Sequence, residues 1–507
     1  MRRTARPRRL ALAASALLAA SALVLSACTA GESATPTPTG SPDPDATVSI
    51  RLVLEPGNLD IRQTAGAALD QVLIDNIYQG LVRRTSDQQI EPALASEYTV
   101  SPDGLTYTFT LREGVKFHDG TDLTAADVVW SLRTRKKTPA FTDSGRLSRV
   151  DSIEADGQTI TLTLSEPDSS LLWNLTGRAG LVFKKNDKID YNTEANGTGP
   201  FTLGAWKQGD SITLERNDEY WGDAPKVKEV VFDYVDDNQA ALTGALAGDF
   251  DVVTGFDATL KDQIEADGAF QVVLGSATDK WVLAMNSTTG PLADKNVRQA
   301  IRQAIDHDAL IEATGAGTPL YGPIPEPDPG YEDLSSVAPY DVEAAKTLLA
   351  DANVTGTTLT LTVPAFYGTT VPQLLVSDLA EVGITLQVNS VDFNTWVNDV
   401  YTNHDYELSL VDHAEPRDFE NWANPDYYFT YDNPQVQELY QQSLSALTDD
   451  EAAQLLQQAA KLVSEDMAAD WLFNWQSVVA VGTGIAGFPV DNVNARINLA
   501  DLTKSEG

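Results

Sequence analysis

A strand, a helix and a second strand joined by short links can pack in very few ways, and residues 357–391 of this 507-residue chain read in that order. "TTLTLTV" alternates apolar and hydroxyl side chains, "VPQLLVSDLAEVG" has a helical apolar spacing that ends at Gly383, and "ITLQVNSV" alternates again. Such a unit makes a right-handed crossover between two parallel strands, and parallel strands need a sheet covered by helices. Other segments add antiparallel signals. In "LTYTFTLREG" a turn at Pro102-Asp103-Gly104 leads into Tyr107, Phe109 and Leu111 on one strand face, and "ADGQTITLTL" repeats the design with Ile160, Leu162 and Leu164. Short strands fit "SITLER" and "EVVFDYV". Residues 294–312 read as one helix capped by Asp294, with Val297, Ala300, Ile301, Ala304 and Ile305 along one face, and a further helix fits 448–466. The class is α/β in at least two lobes.

The charge balance removes one class of partner. The chain has 35 Lys+Arg against 73 Asp+Glu, a net charge of −38. A field of that sign repels polyanions, so nucleic acid is set aside. Five of the arginines fall within "MRRTARPRRL", and no acid occurs before Cys28. This basic run precedes "ALAASALLAASALVL", an apolar stretch too short for a confident membrane span. Residues 1–27 therefore read as an export signal, in which Arg2 and Arg3 fit a twin-arginine pattern poorly. Cys28 is the only cysteine, which excludes an internal disulfide and any cysteine-based metal cluster. Residues 28–46, rich in Pro, Thr, Ser and Gly, bury almost nothing and read as a solvated tether.

The densest chemistry lies in "VDHAEPRDFENW", residues 411–422, which gathers Asp412, His413, Glu415, Arg417, Asp418, Glu420 and Trp422. Paired carboxylates could serve hydrolysis, but a chain this acidic supplies close pairs by chance, and it has neither a G-x-S-x-G elbow nor an H-E-x-x-H motif. His413 and Glu415 could ligate a metal, yet His118, His307 and His404 do not complete a ligand spacing. A solvated turn and a ligand-recognition loop remain open.

Residues 91–132, "EPALASEYTVSPDGLTYTFTLREGVKFHDGTDLTAADVVWSL", resemble the signature region of the family 5 extracellular solute-binding proteins, the peptide- and nickel-type receptors of ABC importers. The resemblance extends through "NLD" (58–60), "NIYQGLV" (76–82), "GTGPF" (197–201), "LERNDEYWG" (214–222), "VRQAIRQAIDHDALI" (297–311) and "PYDVEAAKTLLADA" (339–352). Leu25-Ser26-Ala27-Cys28 likewise resembles a lipobox. It implies that Cys28 is lipidated and holds the protein on the outer face of the cytoplasmic membrane.

The family resemblance implies a periplasmic-binding-protein-like fold of two lobes joined by hinge strands, closing over a ligand. Residues 47–275 with 476–507 would form a discontinuous first lobe containing an extra subdomain near 62–185, and residues 276–475 the second. The implied role is non-catalytic: a monomer without cofactor or resident metal captures a peptide-like solute and hands it to permease subunits. Peptide receptors of this family carry an acidic "D-P-D-x-F"-like stretch, one of whose acids pairs with the ligand ammonium. Here that stretch is Glu415-Pro416-Arg417-Asp418-Phe419, with arginine in place of an acid. A guanidinium attracts carboxylate or phosphate and repels ammonium. Either Asp412, Glu415 or Asp418 takes the ammonium while Arg417 pairs internally, or the ligand is an anionic solute or a chelated metal such as nickel. Arg417 and His413 would then hold it. Trp281, Trp396, Trp422, Tyr427 and Tyr321 are the candidate aromatic walls, although core packing is the commoner fate of a single tryptophan. Trp130 and Trp221 are assigned to packing.

Overall fold

The computed structural model describes residues 40–505 apart from residue 86. The signal segment, Cys28 and most of the tether lie outside the described residues. Among the described residues no helix is long and apolar enough to cross a membrane.

Two large sheets organise the chain. The first has seven strands in the order Phe270–Gly275, Ser477–Gly482, Val252–Thr254, Thr47–Leu52, Glu229–Tyr234, Ser211–Arg216 and Phe201–Lys207. Thr47–Leu52 runs parallel to both of its neighbours, and the outer pairs are antiparallel. The second has five strands in the order Thr385–Val391, Thr358–Pro364, Leu408–His413, Lys280–Met285 and Ala469–Asn474. A four-stranded antiparallel sheet is made by Ala95–Val100, Thr106–Leu111, Thr159–Leu164 and Val150–Asp156. Each sheet has its own buried apolar cluster, centred on Ile50 and Phe232, on Leu361 and Leu410, and on Phe109 and Leu162 respectively.

The crossover expected at 357–391 is present. Thr358–Pro364 pairs in parallel with Thr385–Val391, and the helix Thr370–Glu381 connects them. Gly383, at φ +86°, turns the chain from this helix into the second strand, which only glycine does without strain. One expectation changes. The helix read over 294–312 is two helices, Lys295–Ala304 and His307–Thr314. Ile305 is extended, and the Asp306 carboxylate accepts the Ala309 N–H at 3.0 Å, capping the second helix. Apolar spacing alone did not reveal the break, because Ile305 is buried whether or not it is helical. A capping aspartate satisfies donors that a continuous helix would satisfy itself, so local side-chain chemistry won over periodicity.

The chain passes between the two large sheets twice. Residues 276–279 link Phe270–Gly275 to Lys280–Met285, and residues 475–476 link Ala469–Asn474 to Ser477–Gly482. The crossings are tied together: the Asn474 amide donates to the carbonyls of Ala277 at 2.9 Å and Asp279 at 2.7 Å, and the Trp475 N–H donates to Asp279 at 2.9 Å.

The "GTGPF" motif has a steric role in the first lobe. A Cβ on Gly197 would lie 1.8 Å from the Ile77 carbonyl oxygen, and one on Gly199 2.3 Å from that of Asn76. Both obstacles are backbone, so relief requires moving a buried segment. Gly197→Ala should cost more than ~3 kcal/mol or prevent folding, as read from urea unfolding, whereas Gly57→Ala, in open space and without a positive φ, should change stability by about 1 kcal/mol or less.

Candidate ligand-binding cleft

The acidic loop is built on the junction of these sheets. In the register of Leu408–His413 against Lys280–Met285, Asp412 lies opposite Trp281 and His413 opposite Lys280. The Lys280 ammonium is buried and donates to the carbonyls of Thr278 at 2.9 Å and Glu415 at 3.0 Å, with the Asp418 carboxylate at 3.2 Å. It is a single cation serving several acids. Burial pushes Asp418 and Asp279 up to about 6, against the downward pull of Lys280. Asp412 is driven well above the usual carboxylate range, by burial first and by Asp279 second. Its Oδ1 is buried without a hydrogen-bond partner, and its N–H donates to the Tyr367 hydroxyl at 3.1 Å. A buried carboxylate in that state favours the neutral acid until a cation arrives.

Beyond the loop opens a cavity of about 830 Å³, lined by residues such as Arg84, Trp173 and Arg496 from outside the two crossings and by Asp328, Glu415 and Arg417 from the segment between them. This is a common size for a small-molecule cleft. Arg417 takes the left-handed conformation, φ +54°, held by its N–H donating to Asp328 at 2.6 Å. That reversal points Asp418 back to Lys280 and carries the Arg417 guanidinium over the Trp173 ring, 3.6 Å from its centroid. Arg84 lies over the same ring at 4.1 Å. Arg178 and Arg496 also border the cavity but are paired, with Asp70 at 2.7 Å and Asp75 at 3.1 Å. Contacts beside the cavity join the segment between the crossings to the segment before them: Arg146 to Glu420 at 2.7 Å, and the Ser169 N–H to the Leu444 carbonyl at 2.9 Å.

Of the residues singled out in the sequence, Glu415, Arg417 and Asp418 line this cavity. Asp412, near the end of its strand, is not among the residues that line it. His413 points to the other face, as strand alternation requires. There its Nε2 lies 2.7 Å from the Tyr428 hydroxyl, and burial lowers it to about 3, so it is neutral. Trp422 stacks on Phe429 at 3.9 Å, and Trp396 donates from Nε1 to the Ser409 hydroxyl at 2.9 Å; both belong to one buried aromatic core, with Tyr427 packed on it. Trp281 packs between Tyr367 at 4.8 Å and Phe473 at 5.4 Å. Tyr321 stacks on His307 at 5.0 Å and borders a separate recess. Trp130 and Trp221 pack against the cores of the first lobe. Arg84, Trp173, Asp328 and Arg496 were not singled out, because each comes from a distant segment. The doublet Arg83-Arg84 in an acidic chain was the one local hint. Among the described residues no group of three or more His, Cys, Asp or Glu side chains is arranged to hold a metal ion.

The description "Bacterial extracellular solute-binding proteins, family 5 Middle" matches residues 89–438. The chain belongs to this family. It is 30% identical over 442 residues to the glutathione-binding protein GsiB of Pectobacterium atrosepticum, covering 81% of this chain and 84% of that one. Among solved structures it resembles the periplasmic binding protein DppA of Helicobacter pylori in complex with the peptide STSA. The TM-score is 0.79 at 22% identity, over 91% of this chain and 98% of that one. It also resembles AgaA from A. tumefacien R10 in complex with agropinic acid, with a TM-score of 0.74 at 25% identity over 91% and 99% of the two chains. The fold of this solute-binding protein is thus the two-lobed one of the periplasmic binding proteins.

The raised Asp412 carboxyl sets a pH dependence. A group whose folded value exceeds its unfolded value binds extra protons when folded, so its contribution to stability falls as pH rises through that interval. Asp412→Asn should therefore stabilise the ligand-free protein by ~1 kcal/mol at pH 8. The gain should shrink toward zero near pH 4, where the native carboxyl is protonated. Melting curves of both proteins from pH 4 to 8 test this, and a constant offset would contradict it.

Proposed function

We propose that this family 5 substrate-binding protein is the lipid-anchored receptor of an ABC importer, taking up a peptide or peptide-like solute between its lobes and presenting it to the permease. It performs no chemistry on the ligand. The observation that supports the reading is the cavity itself, lined by Glu415 and Asp418 of the acidic loop and by the aromatic rings of Tyr98, Trp173, Phe419 and Tyr440. An α-ammonium placed against the Glu415 and Asp418 end of the cavity would favour the charged forms of Asp418 and of Asp279 and Asp412 near it. GsiB is named for glutathione and DppA is seen with a peptide, both ligands of this chemistry. The anchor rests on Cys28 within Leu25-Ser26-Ala27-Cys28, and it would keep the receptor as a monomer on the outer face of the cytoplasmic membrane.

A second reading, an anionic solute, is favoured by one observation: the arginines Arg84 and Arg417 that meet on Trp173. AgaA, seen with agropinic acid, shows an acid bound on this fold.

Two measurements test the proposal. Native mass spectrometry of freshly purified protein should show adducts with masses of short peptides; a single non-peptide acid would favour the second reading. Calorimetry with a bound free-amine peptide at pH 6, in buffers of different ionisation enthalpy, should show proton release, because an ammonium stabilises carboxylates otherwise part-protonated at that pH. Proton uptake would contradict ammonium recognition by this acid cluster.

A further inference from the structure

A strand at the edge of a sheet presents unpaired N–H and C=O groups, and folded proteins protect such edges with charges, bulges, short length or cover. Among the described residues every sheet edge but one shows such a device. In the four-stranded sheet, Ala95–Val100 carries Glu97 at a register shift, and Val150–Asp156 carries Asp151, Glu154 and Asp156 with a shift of its own. The Arg133 Nε also donates to the Ile153 carbonyl of that strand at 2.9 Å. In the seven-stranded sheet, Phe201–Lys207 shifts register and ends on a lysine, and the Glu265 carboxylate accepts the Val272 N–H of Phe270–Gly275 at 2.7 Å. In the five-stranded sheet, Ala469–Asn474 is wholly buried. The two small ribbons have strands of only 2 or 3 residues.

Thr385–Val391 is the exception. It forms the other edge of the five-stranded sheet and pairs with Thr358–Pro364 over 7 residues without a bulge. Its sequence, "TLQVNSV", has no charge and no proline, and Gln387, Val388, Asn389 and Ser390 are all exposed. The Thr385 N–H donates inward to Thr357 at 2.9 Å, so strand alternation turns the N–H and C=O groups of Leu386, Val388 and Ser390 outward. The side chains beside this edge are apolar and uncovered. Val388 is 42% exposed, and just beyond the carboxyl end of the strand Phe393 is 49% and Phe366 65% exposed, with ring centroids 5.7 Å apart. An edge left open where all others are closed suits pairing with an extended segment, in which main-chain hydrogen bonds give affinity and neighbouring side chains give selectivity.

The surrounding charges decide the occupant. No Lys or Arg occurs between Lys346 and Arg417, whereas the exposed Glu381 and Asp392 flank the strand. Hydrogen bonds from Thr395 hold the Asp392 carboxyl below the usual range, so it stays charged. Two copies of this chain paired edge to edge would bring those acids together, with a net charge of −38 on each copy opposing the approach. A basic segment is attracted instead. We propose that Thr385–Val391 is a docking edge for an extended segment of another protein flanked by Lys or Arg, which adds a strand to the five-stranded sheet and seats an apolar side chain against Val388 and Phe393. The occupant is a protein partner that meets the outside of the molecule, separate from any solute in the cleft.

The test uses end-blocked octapeptides, acetylated and amidated, with lysine at both ends and alternating Val and Thr between, incubated with the full chain. Hydrogen exchange at single-residue resolution should slow about tenfold or more at Leu386, Val388 and Ser390 and stay unchanged in the acidic loop 411–422. The same peptides with methylated interior nitrogens should give no protection, and peptides ending in glutamate should bind about tenfold more weakly. Val388→Lys should lose about tenfold or more in affinity with a melting temperature within a few degrees of the parent, and Val388→Thr should keep the parent's affinity. No binding at millimolar lysine-ended peptide, binding without slowed exchange at 386, 388 and 390, equal binding of the methylated peptides, or an unimpaired Val388→Lys variant would overturn the docking edge. Equal binding of the glutamate-ended peptides would overturn the basic partner. So would concentration-dependent dimerisation of the peptide-free protein that protects the same three amides, which would put a second copy in its place.

Discussion

The clamp between the two crossings governs this molecule. Asn474 donates to Ala277 and Asp279, so the two chain segments that pass between the sheets move as one strap rather than as two loose links. Because the strap is short, the inner ends of the two large sheets cannot part, and whatever the lobes enclose must lie next to it. Lys280 follows at once and gathers Glu415 and Asp418 from the acidic loop. The acidic loop is therefore referenced to the hinge itself. A shape change at the loop and a rotation at the strap are mechanically close, as a closing receptor needs.

Electrostatics give the cleft its character. The protein is strongly acidic, yet its cavity brings together Arg84, Arg178, Arg417 and Arg496. Acids line the same cavity, and near the hinge they are in excess, with Asp279, Asp412, Glu415 and Asp418 around the Lys280 ammonium. The acidic excess near the hinge costs stability in the empty protein, since buried charges without good partners are unfavourable. Around Trp173 the charges are mixed instead, with Asp328 and Asp449 acting on Arg417.

Much of the fold was legible because it depends on spacing along the chain. The alternation in 358–364 and 385–391, with the helix between, required a parallel pair, and the strands around Phe109 and Leu162 announced themselves through turns and period. The helix break at Ile305-Asp306 escaped because apolar spacing continues through it. At the site, the loop 411–422 was visible as a cluster, but the division of labour within it was not. Asp412 and His413 are neighbours in sequence and belong to opposite faces of one strand, so one meets the acid cluster and the other an aromatic core.

What the sequence by itself determined is the class of the molecule and its polarity. Periodicity prescribed an α/β chain, the glycines of "GTGPF" reflect a backbone approach that admits no Cβ, and one arginine stood in an otherwise acidic loop. What only the tertiary structure decided is which residues converge. Arg84, Trp173, Asp328 and Arg417 are strangers in sequence, and no local propensity links them. They meet because the strap brings two separately cored lobes face to face, and side-chain partners across such a cleft are set by that docking and not by any pattern within a single segment.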